Sequence, residues 1–223
     1  MLSDDLKGKV VLITGAGRGH GRSLAEAFAA RGAYVAVNDI SPVNLDPLVA
    51  GHNGTIKAYV EDVAKKVGAQ FVVKQAEDDF GRIDILINHA SVEPHIPLLD
   101  MDEWDWHRVL DVNLTGTFLM MQSVGRVMRA GGSGVIVNLT MAKPPEACNE
   151  AAYLACQYGL VALTRGAAQE LSPFGIRVHA VGTGLQEFQG VHADDIPHRN
   201  LVDAVLYLCQ NKSLNGQIVH VEE

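Results

Sequence analysis

Residues 10–22 read VVLITGAGRGHGR, an apolar run of strand length that turns through four glycines into a predicted helix beginning near Arg22. Glycines let a backbone approach a ligand closely, and the free N–H groups and positive dipole end of the following helix attract an anion. The pattern therefore predicts a loop that binds the pyrophosphate of a dinucleotide. The predicted contacts of this loop are Gly15, Gly17, Arg18, Gly19, His20 and Gly21.

Short runs rich in Val and Ile alternate with helical stretches along most of the chain. Near-continuous apolarity in such runs is typical of strands buried on both faces of a parallel sheet. The alternation predicts one doubly wound α/β domain over residues 1–223, a Rossmann-type fold with about seven parallel strands and helices on both faces. We expect Gly32 to cap the first helix, a capping box of Asp100 and Glu103 to open a later one, and only a turn or two of helix between Ser41 and Gly54. The predicted strands are 10–13, 33–37, 56–60, 83–87, 135–139, 176–181 and 218–221.

Asp39 ends the second predicted strand, about 20 residues beyond the glycines, where an acidic side chain reads a ribose 2′-hydroxyl. It is predicted to bind the cofactor together with its neighbour Ile40. A carboxylate there accepts a hydrogen bond from the hydroxyl and repels a 2′-phosphate, which favours NAD over NADP. Arg18 opposes this preference. Alternatively, Asp39 simply begins the turn at Ser41-Pro42.

Composition excludes several classes of protein. The chain has 48% hydrophobic and 20% charged residues and a net charge of −8. Its apolar runs are too short to span a bilayer, its acidic and polar start is unlike a secretory signal, and its 18 basic residues are spread. We therefore expect a soluble, cytoplasmic protein that binds neither nucleic acid nor membrane.

Cysteine and histidine spacing predicts neither disulfides nor a metal site. Cys148, Cys156 and Cys209 are scattered and are interpreted as small apolar residues in a reducing compartment. The nine histidines form no His-x-x-x-His pattern, and His192 and His198 lie in a polar stretch.

The chain resembles the short-chain dehydrogenase/reductase family from about Leu6 to Val221, because several sequence motifs occur in the order typical of that family. The resemblance implies an NAD(P)-dependent oxidoreductase that interconverts a hydroxyl and a carbonyl by hydride transfer. It also implies that Asp62 and Val63 contact adenine, that the segment from Asn88 through Ala90 to Ser91 passes under the adenine ribose, and that Tyr153 exchanges a proton with the substrate oxygen. The motifs are Thr14-Gly15-x-x-x-Gly19-x-Gly21, Asp62-Val63, Asn88-His89-Ala90-Ser91, Asn113 and Tyr153.

The chain departs from the family where the chemistry is carried. Gln157 stands where the family has the Lys of its Tyr-x-x-x-Lys pair, and Met141 stands where a Ser is usual. Thr140 could replace that Ser only with a register change, which a shorter loop before Tyr153 would allow. The candidate catalytic residues are Tyr153, Asn113, Thr140 and Gln157.

Two further departures concern the nicotinamide and substrate sides. Residues 181–184, Val-Gly-Thr-Gly, replace a Pro-Gly pair, and only a short polar stretch stands between Gly184 and the last helix near Asn200, where a helical lid is usual. These features predict an impaired site that is weakly selective. The alternative is a protein that binds a dinucleotide without turnover, as a sensor or as a subunit of an assembly.

The helix after Glu150 has no charged residue from Ala151 through Thr164. One face of such a helix can pack on the sheet, and the other needs a second partner. We therefore expect a homo-oligomer, a dimer or a tetramer built as a dimer of dimers.

Overall fold

One sheet of seven parallel strands runs through the molecule in the order β3-β2-β1-β4-β5-β6-β7. The computed structural model describes residues 6–52, 54–141, 150–183 and 200–221. The predicted doubly wound fold is confirmed, and each predicted strand is present within a few residues of its expected bounds. The strands are β1 Val10–Thr14, β2 Tyr34–Asp39, β3 Ile56–Val60, β4 Ile85–Asn88, β5 Gly134–Met141, β6 Ile176–Thr183 and β7 Ile218–His220.

Helices cover both faces of the sheet. The first and last pack together on one face, and the third, fifth and sixth contribute buried side chains to the other. The segment between Ser41 and Gly54 holds one short helix, as expected. The helices are α1 Gly19–Ala29, α2 Asp46–Ala50, α3 Lys66–Phe80, α4 Glu103–Leu110, α5 Gly116–Gly131, α6 Ala151–Leu171 and α7 Leu201–Gln210.

The apolar residues of strand β1 are buried on both faces of the sheet. Val11, Leu12 and Ile13 are all 0% exposed. Val11 and Ile13 pack on the side of α1 and α7, whereas Leu12 packs on the side of α3 and α5. Each such side chain stabilises the fold by roughly 1.5–3 kcal/mol relative to an exposed one.

Three predicted helix ends are wrong. Helix α1 begins at Gly19 rather than near Arg22 and is capped by Ala30; Gly32, at φ +79°, lies in the turn that follows. Helix α4 is opened by Asp102, whose carboxylate accepts the N–H of Asp105 at 2.7 Å. The expected pair of Asp100 and Glu103 is out of phase because the N–H of Asp100 already donates to the carbonyl of Pro97 in the preceding turn.

A π-helical turn, Asp111–Thr115, joins α4 to α5 so that the two form one continuous helix with a local widening. Single π turns of this kind are rare and occur often at functional sites. Its central residue is Asn113, a candidate catalytic residue, which is 2% exposed.

The described helices include none with the length and apolarity needed to cross a bilayer. Cys156 and Cys209 are free thiols in the core, and burial raises the pKa of Cys156 to about 11 and that of Cys209 to about 12. Both are thus unreactive apolar residues, as expected, while Cys148 lies outside the described residues.

Arg177 caps the C-terminal end of α7. Its guanidinium donates to the carbonyls of Leu208 and Asn211 at 2.8 Å and of Cys209 at 3.0 Å, groups that a helix end leaves without partners. The same guanidinium lies 3.3 Å from Nε2 of His179, a side chain 0% exposed. Burial, and then the Arg177 cation, lower the pKa of His179 to about 3.

This pair predicts a specific loss of stability in acid. An unfolded histidine titrates near 6.5. Below that pH, His179 is protonated in the unfolded chain, whereas in the folded protein it stays neutral until about pH 3. The free energy of unfolding should therefore fall as the pH drops from 6.5 towards 3. His179→Gln, which cannot gain this charge, should show a shallower decline in denaturant titrations at several pH values. Parallel curves for the two proteins would contradict the prediction.

Candidate cofactor and active site

A cleft of about 720 Å³ lies at the carboxyl ends of the strands, where the sheet order changes direction between β1 and β4. Ligands of open α/β sheets bind at such a switch point. The predicted residues that line the cleft are Gly15, Arg18, Gly19, His20, Asp39, Ile40, Asp62, Val63, Asn88, Ala90, Asn113, Tyr153 and Gln157. Gly17, Gly21 and Thr140 do not line it.

Two glycines allow the phosphate loop to pack as it does. Gly15 has φ +64°, and a Cβ on it would lie 2.7 Å from Cα of Ala90. A Cβ on Gly21 would lie 2.6 Å from Nδ1 of His89 and 2.7 Å from the carbonyl oxygen of Gly15. The loop thus sits directly against the segment after β4, and Gly21 has a packing role rather than a place on the cleft wall.

Asp39 braces the loop as well as lining the cleft. Its Oδ2 accepts the backbone N–H of Gly17 at 3.0 Å. A Cβ on Gly17 would stand 2.7 Å from the same oxygen, so this contact also requires glycine. The N–H of Gly17 is therefore directed to Asp39, which explains why Gly17 does not face the cleft.

His89, where the family usually has Asn, is a second brace. Its Nδ1 lies 2.9 Å from the carbonyl oxygen of Gly15, and because a carbonyl only accepts, Nδ1 carries the proton. Burial lowers the pKa of His89, and the hydrogen bond to the carbonyl of Gly15, the next-largest effect, opposes this only in part. His89 is thus a neutral donor that ties β4 to the glycine loop.

Both the oxygen and the nitrogen of the Asn113 side chain form hydrogen bonds that stabilise the cleft wall. Oδ1 accepts from the hydroxyl of Ser91 at 2.7 Å and from the N–H of Val92 at 3.1 Å. Nδ2 donates to the carbonyls of Val92 at 2.8 Å and Val109 at 2.9 Å. An amide has two donors and an acceptor oxygen with two lone pairs, so this side chain is saturated. It fixes the π-helical turn to the segment after β4.

A buried polar chain connects three elements behind the cleft. Asn88 donates to Asn138 at 2.8 Å, and Asn138 donates to the hydroxyl of Thr164 at 2.9 Å. Asn138 is 0% exposed and stands in the centre of β5. Buried amides of this kind rigidify a site when they are paired. In the sequence, Asn138 is recognisable only as a polar residue inside an apolar strand.

Tyr153 and Gln157 stand one turn apart on α6, and both line the cleft. They are 3% and 2% exposed. Tyr153 packs in an apolar cluster with Val109, Ala152 and Cys156. The phenol and the amide are therefore held in fixed positions at one end of the cofactor cleft.

Thr140 is not brought to Tyr153. It pairs with Gly182 in an unbroken register with β6, and Leu139, the preceding residue, lines the cleft. Because side chains alternate along a strand, Thr140 points to the opposite face. Its hydroxyl is buried and has no hydrogen-bond partner within the described ranges. The predicted shortening of the loop before Tyr153 and the predicted absence of a helical lid after Gly184 fall largely on residues 142–149 and 184–199, which lie outside the described residues.

Comparison with known proteins agrees with this geometry. The sequence profile described as short chain dehydrogenase matches residues 9–194. The chain is 37% identical over 180 residues to D-threitol dehydrogenase of Mycolicibacterium smegmatis, covering 79% of this chain and 69% of that protein. It is 38% identical over 189 residues to a 3-oxoacyl-acyl-carrier-protein reductase of Thermotoga maritima, covering 82% and 76%.

The solved structures agree as well. A short chain dehydrogenase from Mycobacterium smegmatis superimposes with a TM-score of 0.84 at 30% identity, covering 99% of this chain and 94% of that one. The chain belongs to the short-chain dehydrogenase family. Members of this family are oxidoreductases that use NAD(H) or NADP(H).

Proposed function

We propose that the protein is an NAD(H)-preferring oxidoreductase that interconverts a hydroxyl and a carbonyl by hydride transfer. The observation that carries this proposal is that one cleft holds the glycine loop, Asp39 and Tyr153. These are the groups needed to bind a dinucleotide and to exchange a proton beside it.

Each part of the cleft has a task in this scheme. The N–H groups at the start of α1 would hold the pyrophosphate, and Asp39, which braces Gly17, would accept a hydrogen bond from the ribose 2′-hydroxyl. Asp62 and Val63, which also line the cleft, would contact the adenine. When bound, the cofactor supplies or receives the hydride. Tyr153 gives the substrate oxygen a proton during reduction and takes it back during oxidation.

Proton exchange between Tyr153 and the substrate oxygen is the step that the residues of this site support least. A tyrosine titrates near 10 in water, and a nearby cation lowers that value by about one to three units. Gln157 supplies hydrogen bonds but no charge. We therefore propose that alcohol oxidation is slow near neutral pH and accelerates as the solution becomes alkaline. Cofactor affinity is less affected, because the amide of Gln157 can still bond ribose hydroxyls.

A second candidate is a dinucleotide-binding protein without turnover. Two observations favour it: the hydroxyl of Thr140 is turned away from the cleft, and the side chain of Asn113 is fully engaged in structural bonds. The other described hydroxyl residues that line the cleft beside Tyr153 are Ser91 and Thr117, and both of their hydroxyls donate to Asn113.

One preparation separates the two candidates. NADH and NADPH are titrated by fluorescence, and the same protein is assayed with C4 to C6 polyols, their ketoses and a 3-oxoacyl thioester. Turnover that disappears in Tyr153→Phe, with NADH binding retained, supports the oxidoreductase. Tight NADH binding without turnover from pH 7 to 10 selects the binding protein.

We further propose that two copies of the chain associate through α6. This helix has no charge from Ala151 through Thr164 and exposes Tyr158 at 38%. Light scattering at micromolar concentration should give a dimer or tetramer, and Tyr158→Glu should shift the mass towards the monomer because it places a charge in the apolar contact. A monomeric parent protein would contradict the proposal.

A further inference from the structure

Three side chains at the mouth of the cleft form a cluster that the proposed reaction does not use. Glu93 and His95 lie on the segment after β4, and Glu150 immediately precedes α6. Each offers one potential ligand atom, and these atoms all lie within 4.8 Å of one another. Nδ1 of His95 is 3.0 Å from Oε1 of Glu150.

The three potential ligand atoms lie close enough together to share one ion. Two carboxylates and one imidazole converge here. Glu150 is also 4% exposed, and burial of a carboxylate is costly unless a cation or hydrogen bonds compensate it. A divalent cation would balance both carboxylates while imidazole supplied a neutral nitrogen.

The donor types indicate which cation would fit. Mg²⁺ and Ca²⁺ prefer oxygen ligands alone, whereas imidazole with carboxylate suits Zn²⁺ and its first-row neighbours. Three protein ligands with an exposed side resemble an open coordination sphere rather than a closed structural one. His95, at 62% exposed, provides that open side.

We propose that Glu93, His95 and Glu150 bind a divalent transition-metal ion of the Zn²⁺ type at the mouth of the cleft. Glu93 lines the same cleft as Tyr153, so the ion would lie beside that cleft. Within the described ranges, no other group of three such ligands comes together.

The test is calorimetric titration of chelator-treated protein with Zn²⁺ and, separately, with Mg²⁺. The parent should bind one Zn²⁺ at the site and hold Mg²⁺ much more weakly. His95→Ala, Glu93→Gln and Glu150→Gln should each weaken Zn²⁺ binding by more than the roughly 10- to 100-fold that loss of an outer partner of a metal ligand typically costs. The rise in thermal midpoint that Zn²⁺ produces should disappear with it.

His107 supplies a matched control. It is also 62% exposed and pairs with a glutamate, Glu103, at 3.5 Å, but no third potential ligand joins this pair in the described part of the chain. His107→Ala should therefore leave Zn²⁺ affinity unchanged. Equal affinity of His95→Ala and the parent would place the ion on other histidines or cysteines and overturn the proposal. Absence of parent binding at about 1 mM Zn²⁺ would overturn it too.

Discussion

Turnover at pH 7 should rise by about 100-fold when Gln157→Lys is combined with Met141→Ser, because the pair restores a cation beside Tyr153 and a hydroxyl donor for the substrate oxygen. An ammonium group within a few Å that lowers the titration of a tyrosine by about two units increases the tyrosinate fraction about 100-fold at neutral pH. Gln157 is 2% exposed and one helical turn from Tyr153, so a lysine there has little choice of direction.

Three controls make this result specific. Gln157→Met keeps the length of the side chain and should not raise turnover. Tyr153→Phe added to the double variant should remove the gain, because the phenol is then absent. The pH profile of the parent should rise towards alkaline pH, whereas that of the double variant should flatten. A parent that already works with a flat neutral profile, and gains nothing from the double change, would show that Tyr153 is tuned by something other than a lysine.

The preference for NADH over NADPH should fall by at least about tenfold in Asp39→Asn. Two unit charges about 4 Å apart repel by about 4 kcal/mol at an effective dielectric of 20, and solvent screening leaves about a third of that at a partly exposed site. Each 1.4 kcal/mol is a factor of ten in affinity. An asparagine oxygen can still accept from Gly17, so the loop keeps its brace.

Asp39→Ala and Asp46→Asn complete this experiment. The alanine variant removes both the charge and the bond to Gly17, so NADH affinity should fall as well as selectivity. Asp46 is exposed on α2 and does not line the cleft, and its neutralisation should leave the ratio of the two affinities unchanged. Calorimetry on each protein gives both constants. If the parent binds NADPH at least as tightly as NADH, Arg18 controls the choice and the predicted role of Asp39 is wrong.

The fold was readable from the sequence because its determinants are local. Four consecutive apolar residues in β1 predict a strand buried on both faces, and the glycines after it identify the turn. The ends of the helices were predicted less accurately from the sequence. Asp100 and Asp102 are equally good capping residues, and only the turn from Pro97 decides between them.

The site was only partly readable because its bonds join distant residues. Residues Gly15 and His89 are 74 positions apart, and nothing local predicts that this histidine supports the loop. Asn113 could be identified by resemblance, but its saturation depends on Ser91 and Val92, 21 to 22 positions away. The cluster of Glu93, His95 and Glu150 could not be predicted for the same reason, because the segment after β4 and the start of α6 are far apart in the sequence.

The π-helical turn at Asp111–Thr115 sets the rotational phase between the two halves of one long helix. A residue inserted into an α-helix turns everything beyond it by about 100°. With that offset, α4 presents Val109 to Tyr153 on α6, while α5 presents Met120 and Val124 to the sheet and α3. The continuous helix therefore connects α6 rigidly to the sheet. The position of the Tyr153 phenol relative to the sheet depends on the number of residues in the π-helical turn. Shortening the turn by one residue would rotate the support of Tyr153 away from it while leaving every side chain of the cleft chemically intact.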